Sequence, residues 1–484
     1  MADKPIDILI VGFGAVGTLY GWVLSQNSNV RVTAIARSSY EDMKNGITLS
    51  SEKFGDVEGW KPFRLVKDPA EANDRAYKYI ICSTKVIPDL MPTASVLAPF
   101  LESPHNTDTV DLEDGPTVVL IQNGIGIEHP LATAYPEVPI ISVVAWVGAN
   151  LHAGGRVTHG LLEKLVGGVY TGEGGETGAD STEHVEDEFA DPHGYRKQPD
   201  GPDRLDEAKR RAKVFADLVN NGGGCFELVD SIQPRRYEKN LWNAAWSSLC
   251  TISRCTVSQA VAPSVLPYTL PVARRTMLEV LYVARAWGYA EDVLPLKLVD
   301  DVLKITIKNY QRVPAGVPQT PGTPGIRGDG FGSLGGYGWP TEGETAKESL
   351  ESTVNFKPSM LLDVEAGRPC ELEPIIGSLL DRARARGVAT PRLDMAYAAL
   401  KIHQDQAIQA HAASQQYQQH IQSWLSKPPS VAGLGAAGRQ AWEKAVRKAQ
   451  LPEHEKGSVG MANGKDKIPG KPVRSISGLG TDEE

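Results

Sequence analysis

The chain has 484 residues, more than one domain usually holds, and its 41% of hydrophobic residues is ordinary for a globular protein. A formal net charge of −9 argues against nucleic acid or an anionic membrane surface as the main partner. The five scattered cysteines form no CxxC pair and favour neither a disulfide framework nor a metal site. The length leads us to expect two or more domains. No secretory signal and no membrane-length apolar run is recognisable, so we expect a cytoplasmic protein.

The first third of the chain alternates short apolar runs with longer mixed segments. Five runs of strand length are rich in Val and Ile: IDILIV, VRVTAIA, YKYIICS, TVVLI and PIISVVAWV. Continuous apolarity is typical of parallel strands that are buried on both faces. With helices predicted at 16–26 and 88–100, the pattern predicts an α/β, Rossmann-like, doubly wound parallel sheet over residues 1–230. The run VTHGLLEKLVGGVY is predicted to add edge strands.

Helical periodicity dominates the rest of the chain and predicts an all-α C-terminal domain over residues 231–425. Residues 171–203 are acidic and Gly-rich, and we predict a flexible surface insertion there. The Gly/Pro-rich residues 313–343 are predicted to be a second insertion, and the polar residues 426–484 a largely disordered tail. A further strand is predicted at 225–229. The helices predicted after the first insertion are 204–221, 234–249, 270–287, 295–310, 373–386 and 392–425.

A GxGxxG segment directly follows the first predicted strand and precedes a predicted helix. In this setting the first glycine permits a tight turn, the second lets the backbone approach a pyrophosphate, and the third lets the helix pack closely on the strand. A plain Gly-rich turn is the less favoured interpretation. The segment therefore predicts a dinucleotide site, formed by Gly12, Phe13, Gly14, Ala15, Val16 and Gly17.

The end of the second predicted strand indicates which dinucleotide binds. A site specific for NAD usually has Asp or Glu there, to hold the ribose 2′-hydroxyl. Here Arg37 follows the strand, and a guanidinium forms charge-assisted bonds with a 2′-phosphate. NADPH/NADP+ is therefore favoured over NADH as the cofactor.

Polar residues also follow two later predicted strands. Lys85 comes after YKYIICS, and Asn123 comes after TVVLI. Ligands of open α/β sheets bind beyond the carboxyl ends of the strands, so both side chains are placed to reach the nicotinamide or a substrate. A solvated loop lysine and a simple Asn-Gly turn remain the alternative interpretations.

Two polar features mark the helical part. Lys239, Asn243 and Ser247 lie at i, i+4 and i+8 of one predicted helix and share a face. Glu371 precedes an apolar helix. Taken individually, a solvent-facing stripe and a carboxylate that complements a helix dipole explain them equally well.

Taken together, these motifs resemble the ketopantoate reductases, also called 2-dehydropantoate 2-reductases. The resemblance covers nearly the whole chain outside the insertions and the tail. It depends on VGFGAVG, Lys85, QNGIG and EKNLWN, and on the block SMLLDVEAGRPCELEPIIG at residues 359–377 followed by GVATPRLD.

The resemblance implies NADPH-dependent reduction of 2-dehydropantoate to pantoate, in pantothenate and coenzyme A biosynthesis. It implies that Lys239 and Glu371 are catalytic and that Lys85 lies by the nicotinamide. The substrate-binding side chains would be Asn123, Asn243, Ser247 and Ser359, with Asn123 also near the cofactor. Ser247 stands where the family has a second asparagine, and Glu371-Leu372-Glu373 stands where Glu-Ile-Asp is frequent.

The chemistry of these residues suits such a reduction. A lysine ammonium beside the reacting carbonyl stabilises the developing negative charge and donates the proton. Two alternatives remain open: reduction of another branched 2-oxo acid, and a non-catalytic NADPH-binding sensor on the same fold. The expected partner is a small 2-oxo acid, without nucleic acid, membrane or metal. A homodimer is compatible with the sequence.

Overall fold

A computed structural model of the chain describes residues 5–107, 115–174, 204–311 and 356–426. The predicted insertion at 313–343 lies outside the described residues. The acidic insertion beyond residue 174 and the tail beyond residue 426 lie outside them as well. The predicted domain boundaries near residues 230 and 425 stay predictions.

The described residues up to Gln409 form one compact unit, and those from Ala410 onward belong to a second. The described part of the second unit, residues 410–426, is helical. None of the helices in the described ranges combines the length and apolarity that a bilayer crossing requires.

The described strands of the first unit form one mixed sheet. In space they follow the order β4-β3-β9-β8-β7-β6-β1-β2-β5, and β10 pairs with β9. The strands are Ile6–Val11 (β1), Val30–Ile35 (β2), Ile47–Ser51 (β3), Gly55–Trp60 (β4), Arg64–Val66 (β5), Tyr79–Cys82 (β6), Thr117–Ile121 (β7), Ile140–His152 (β8), Arg156–Val169 (β9) and Phe226–Leu228 (β10).

The sheet is parallel in its main part, as the apolar runs predict, and mixed on one side. Only β3–β4 and β8–β9 pair antiparallel among the described strands. The predicted edge position of β9 is wrong, because β9 lies between β3 and β8. A short connection, Ala153–Gly155, turns β8 back into β9 and creates this long antiparallel pair. The short strands β3, β4 and β5 were not predicted, since none of them is a continuous apolar run.

Helices cover both faces of the sheet and explain the continuous apolarity of its strands. Ile8 and Ile10 of β1 pack with helices α1 and α6, whereas Leu9 and Val11 pack on the other face with α3 and α5. The helices of this part are Ala15–Ser25 (α1), Tyr40–Met43 (α2), Thr93–Leu101 (α3), Pro104–Thr107 (α4), His129–Ala134 (α5) and Arg204–Asn221 (α6).

The residues that follow form a helical layer with its own core around the fully buried Trp246. No strand occurs in its described residues, 231–311 and 356–426, as the periodicity predicts. Its helices are Gln233–Trp242 (α7), Ser248–Ser253 (α8), Val257–Ala260 (α9), Leu266–Ala286 (α10), Lys297–Tyr310 (α11), Ser359–Glu365 (α12), Ser378–Ala385 (α13) and Pro391–Ser426 (α14).

Two π-helical turns interrupt helices that were predicted to be regular. One, Asn243–Ser247, joins α7 to α8, and the other, Glu373–Gly377, precedes α13. The two turns contact each other. Turns of this kind are rare and occur frequently at functional sites, and both of these lie beside the polar cluster described next.

Candidate active site

The GxGxxG segment forms the connection from β1 to α1, where it was predicted. Gly12 has φ +97°, and a Cβ on it would lie 2.6 Å from the amide nitrogen of Thr84. A Cβ on Gly17 would lie 2.4 Å from the carbonyl oxygen of Gly12. At Gly14, by contrast, no atom lies within 4 Å of the Cβ position. The Phe13 side chain is buried, so the loop presents backbone and open space at the start of α1.

Arg37 lies directly after β2 with its side chain exposed. Within the described ranges it makes no hydrogen bond or ion pair with the protein. The nearby Glu41 is paired with Lys44 at 2.6 Å and with Lys67 at 3.4 Å, and so does not neutralise Arg37. The guanidinium therefore remains available to an anionic group.

Lys85 lies after β6 and forms an ion pair with Asp363 of α12. Asp363 is buried, and its other carboxylate oxygen accepts a hydrogen bond from Arg368 at 2.9 Å. Lys85 itself is 46% exposed. Its ammonium thus connects the end of a central strand to the helical layer, on the side where ligands of such sheets bind.

Asn123 is hydrogen-bonded to both Lys239 and Glu371. Its Oδ1 accepts a hydrogen bond from Lys239 Nζ at 2.8 Å, and its Nδ2 donates one to Glu371 Oε2 at 3.1 Å. Lys239 also donates to the carbonyl oxygen of Ala145 on β8, and Glu371 accepts from the amide of Val86 at 3.2 Å. Residues far apart in the chain are therefore assembled into one hydrogen-bonded triad.

The loop that carries Asn123 is docked against the helical layer. Gly124 has φ +102°, and a Cβ on it would lie 2.4 Å from Pro374 Cβ. The amide of Ile125 donates to the carbonyl oxygen of Pro374 at 2.8 Å. Because only glycine permits this approach, Gly124 brings Asn123 next to the segment that carries Glu371.

Burial shifts the acidity of both ionisable members of the triad. It lowers the pKa of Lys239 to about 8, and the Arg236 cation acts in the same direction, while Glu371 opposes both. Burial likewise raises the pKa of Glu371, against the hydrogen bonds from Asn123 and Val86. A lysine poised near neutral pH is suited to both giving and taking a proton.

Two family models match this chain over most of its described length. The description "Ketopantoate reductase PanE/ApbA" matches residues 8–172, and "Ketopantoate reductase PanE/ApbA C terminal" matches residues 231–404. The chain belongs to the ketopantoate reductase family. This is a family of oxidoreductases.

Individual relatives agree with this membership. The chain is similar to the 2-dehydropantoate 2-reductase of Nostoc sp., with 24% identity over 395 residues, 81% of this chain and 93% of the relative. Among solved structures, 2-dehydropantoate 2-reductase from Methylococcus capsulatus has 24% identity and a TM-score of 0.56, covering 83% of this chain and 98% of that one. D-mandelate dehydrogenase with NADH and anilino(oxo)acetate has 18% identity and a TM-score of 0.55, covering 83% and 99%. These structural likenesses show the fold.

The remaining residues that the family resemblance singled out occupy different surroundings. Asn243 borders a small cavity together with Asn123 and Lys239. Ser247 is buried and is not among the residues that line this cavity. The π-helical turn holds more residues than an α-helical turn, so the face shared at i and i+4 shifts across it. Ser359 begins α12 and is exposed. Their roles in substrate binding stay predictions.

Sequence reasoning missed Arg236, which borders the same polar cluster. Arg236 is 2% exposed and borders the same cavity. It precedes Lys239 by three residues, so its place on the same helical face was visible in the sequence. Its burial was not, because an arginine on a helix is usually solvated.

Proposed function

We propose that the protein reduces 2-dehydropantoate to pantoate with NADPH. The observation that carries this proposal is the triad in which Asn123 bridges Lys239 and Glu371, at the carboxyl ends of the central strands. A partly buried lysine with a lowered pKa, next to a buried carboxylate, is a pair suited to proton transfer at a carbonyl oxygen. A solvent-facing stripe of polar residues would not show these contacts.

The described residues fit a dinucleotide. The open Cβ position at Gly14 leaves room for a pyrophosphate at the start of α1, and Arg37 is an unneutralised cation where the 2′-phosphate would lie. When bound, the reduced nicotinamide supplies a hydride to the 2-oxo carbon. Lys85 would lie near the nicotinamide, at the end of β6.

The chain's own residues supply the proton and hold the substrate. Lys239 holds a proton at Nζ and gives it to the oxygen on which negative charge develops. Asn123 keeps that ammonium oriented, and Glu371 accepts a hydrogen bond from Asn123. We assign Asn243, which borders the cavity, and Ser359 to the substrate's carboxylate and hydroxyl groups, whereas the buried Ser247 would contribute only if the site rearranges around the substrate.

The cofactor preference should depend on Arg37. We expect Arg37→Asp to lower kcat/KM with NADPH by about 10–100-fold, because a charge-assisted bond to phosphate is replaced by repulsion. Turnover with NADH should change much less. The measurement is kcat/KM for both cofactors in the wild type and the variant. Lys61→Asp, a charge reversal of another exposed cation, is the control. Equal turnover of the wild type with NADH and NADPH would remove the role assigned to Arg37.

The rate should depend on pH through Lys239. Reduction requires the ammonium form, so kcat/KM should be level at lower pH and fall as pH rises through about 8. Oxidation of pantoate requires the free amine and should rise over the same interval. Both profiles are measured at saturating cofactor. A reduction profile that stays level up to about pH 10, near the pKa of a free lysine, would contradict the assignment.

A second candidate substrate follows from one neighbour of Lys239. The Trp146 ring centroid lies 5.6 Å from Lys239 Nζ, and the ring is only partly buried. A carbonyl oxygen bonded to Nζ would bring the substrate's side chain near this ring, which favours an aromatic or bulky branched 2-oxo acid.

A panel of 2-oxo acids tests the proposal and this alternative together. 2-Dehydropantoate, 2-oxoisovalerate and benzoylformate are compared through the loss of reduced-nicotinamide absorbance with NADPH. The highest kcat/KM for 2-dehydropantoate is the expected result. The highest kcat/KM for benzoylformate would mean that the substrate is an aromatic 2-oxo acid, while the reaction would still be a 2-oxo acid reduction. Tight NADPH binding without turnover of any member would favour the non-catalytic sensor.

A further inference from the structure

A buried cation adjoins the triad of Asn123, Lys239 and Glu371. The Arg236 guanidinium donates from Nη1 to the carbonyl oxygens of Gln122 and Gly124, each at 3.0 Å. These two carbonyls flank Asn123 in the chain. The Arg236 side chain therefore hydrogen-bonds to the backbone on both sides of Asn123, the residue that connects Lys239 to Glu371.

An equally buried anion completes this cluster. Glu128 Oε1 lies 2.6 Å from Arg236 Nε and also accepts hydrogen bonds from Ser142 Oγ at 2.6 Å and Gln233 Nε2 at 3.0 Å. Both charged side chains are 1% exposed or less. Such a pair adds little net stability over apolar packing, because desolvation offsets most of the attraction. Its position under the site is what requires an explanation.

We propose that Arg236 is a positioning residue of the reductase: it clamps the backbone around Asn123, and its charge, moderated by Glu128, acts on the Lys239 ammonium. The proposal rests on the proposed function in one respect, the use of Lys239 as proton donor. The clamp and the electrostatic effect are separate and have separate consequences.

The charged groups placed to act on Lys239, directly or through Arg236, come from three elements among the described residues. Arg236 lies one turn earlier on α7, and Glu371 lies before the second π-helical turn. The β7–α5 connection contributes the neutral Asn123 and the Glu128 carboxylate that pairs with Arg236, and β8 contributes the Ala145 carbonyl and the Trp146 ring. Removing the Arg236 charge should therefore favour the ammonium form of Lys239, whereas removing the Glu128 charge should disfavour it.

A matched arginine that contacts the opposite end of β7 separates this role from a structural one. Arg211 of α6 is 3% exposed and ion-paired with Glu207 at 2.7 Å. It donates to the carbonyl oxygen of Gly115 at 2.7 Å and to Thr117 Oγ1 at 3.1 Å, at the beginning of β7. Arg236 holds the end of the same strand. The two arginines thus share burial, pairing and backbone contact, and only Arg236 adjoins the triad.

The experiment measures the pH profile of kcat/KM for 2-oxo acid reduction in four variants. It compares the alkaline limb, the pH range over which kcat/KM falls. Arg236→Gln should move the limb to higher pH by about 0.5–1 pH unit, and Glu128→Gln should move it to lower pH by a similar amount. Arg236→Lys keeps the charge, so the limb should stay close to the wild-type position. Its kcat should fall by about 10–100-fold, because one ammonium cannot reproduce the two-carbonyl clamp. Arg211→Gln should leave the limb unchanged.

A purely structural role would not shift the alkaline limb in opposite directions in Arg236→Gln and Glu128→Gln. Both changes would loosen the packing, but only a loss of opposite charges predicts pKa shifts of Lys239 with opposite signs. Folded Arg236→Gln and Glu128→Gln variants with the wild-type limb would overturn the electrostatic part, and a wild-type kcat in Arg236→Lys would overturn the clamp. If Arg236→Gln does not fold, Glu128→Gln and Arg236→Lys still decide these two questions.

A measurement without turnover distinguishes failure of this proposal from failure of the proposed function. The pH dependence of Lys239 acetylation by trace acetic anhydride, followed by peptide mass spectrometry, reports its protonation directly. Shifted acetylation midpoints in a protein that reduces no 2-oxo acid would uphold the action of Arg236 on Lys239 and reject the reductase. Unshifted acetylation midpoints in an enzyme that reduces the 2-oxo acid would reject the action of Arg236 on Lys239 and uphold the reductase.

Discussion

Lys239→Ala is expected to lower kcat for 2-oxo acid reduction by about 10²–10⁴-fold, the usual effect of losing a general acid. That corresponds to roughly 3–5 kcal/mol of transition-state stabilisation. NADPH affinity should change little, because the predicted phosphate contacts lie on the β1–α1 loop and at Arg37. The fold should persist, since alanine favours a helix and the variant removes a desolvated ammonium. Steady-state kinetics and a cofactor-binding titration measure these effects.

The control for this variant is Lys213→Ala. Lys213 lies on α6, is 68% exposed and pairs with Asp217 across one helical turn, so its removal should leave kcat near the wild-type value. A Lys239→Ala protein that binds NADPH normally and reduces 2-dehydropantoate at close to the original rate would remove the catalytic assignment.

Glu371→Gln should lower kcat/KM by about 10²-fold or more. The amide still accepts one hydrogen bond, but the carboxylate that faces Asn123 and Lys239 is lost from a buried site, where charge acts strongly. The same variant withdraws the anion that favours the ammonium form of Lys239, so the alkaline limb should move to lower pH. Rates and pH profiles are measured together.

The double variant Lys239→Ala/Glu371→Gln tests whether the two residues act as a unit. Its loss should be smaller than the product of the single losses, because each change already disables the shared proton-transfer arrangement. Glu365→Gln is the control, on the surface of α12 and paired with Lys357 at 2.8 Å. Independent, multiplicative losses would mean that Glu371 acts on the substrate and not through Lys239.

Local patterns in the sequence were enough to predict several strands and helices of the sheet-forming part. The runs IDILIV and TVVLI coincide with β1 and β7, and the helix predicted at 204–221 coincides with α6. These segments are buried on both faces or have a strong helical periodicity, so each residue's surroundings follow from its neighbours in the chain. Strands β3 to β5 escaped prediction because they are short and partly exposed.

Sequence alone therefore determined the sheet-forming runs, the glycine loop, Arg37 and the family to which the chain is similar. Only the tertiary structure decided that β9 lies inside the sheet, that Asn123 bridges Lys239 and Glu371, and that Arg236 is buried beneath them. The physical reason is the distance along the chain over which the relevant interactions act. Periodicity and turn chemistry act over a few residues, whereas the triad joins positions up to 248 residues apart, and the burial that lowers the pKa of Lys239 exists only once both layers have packed.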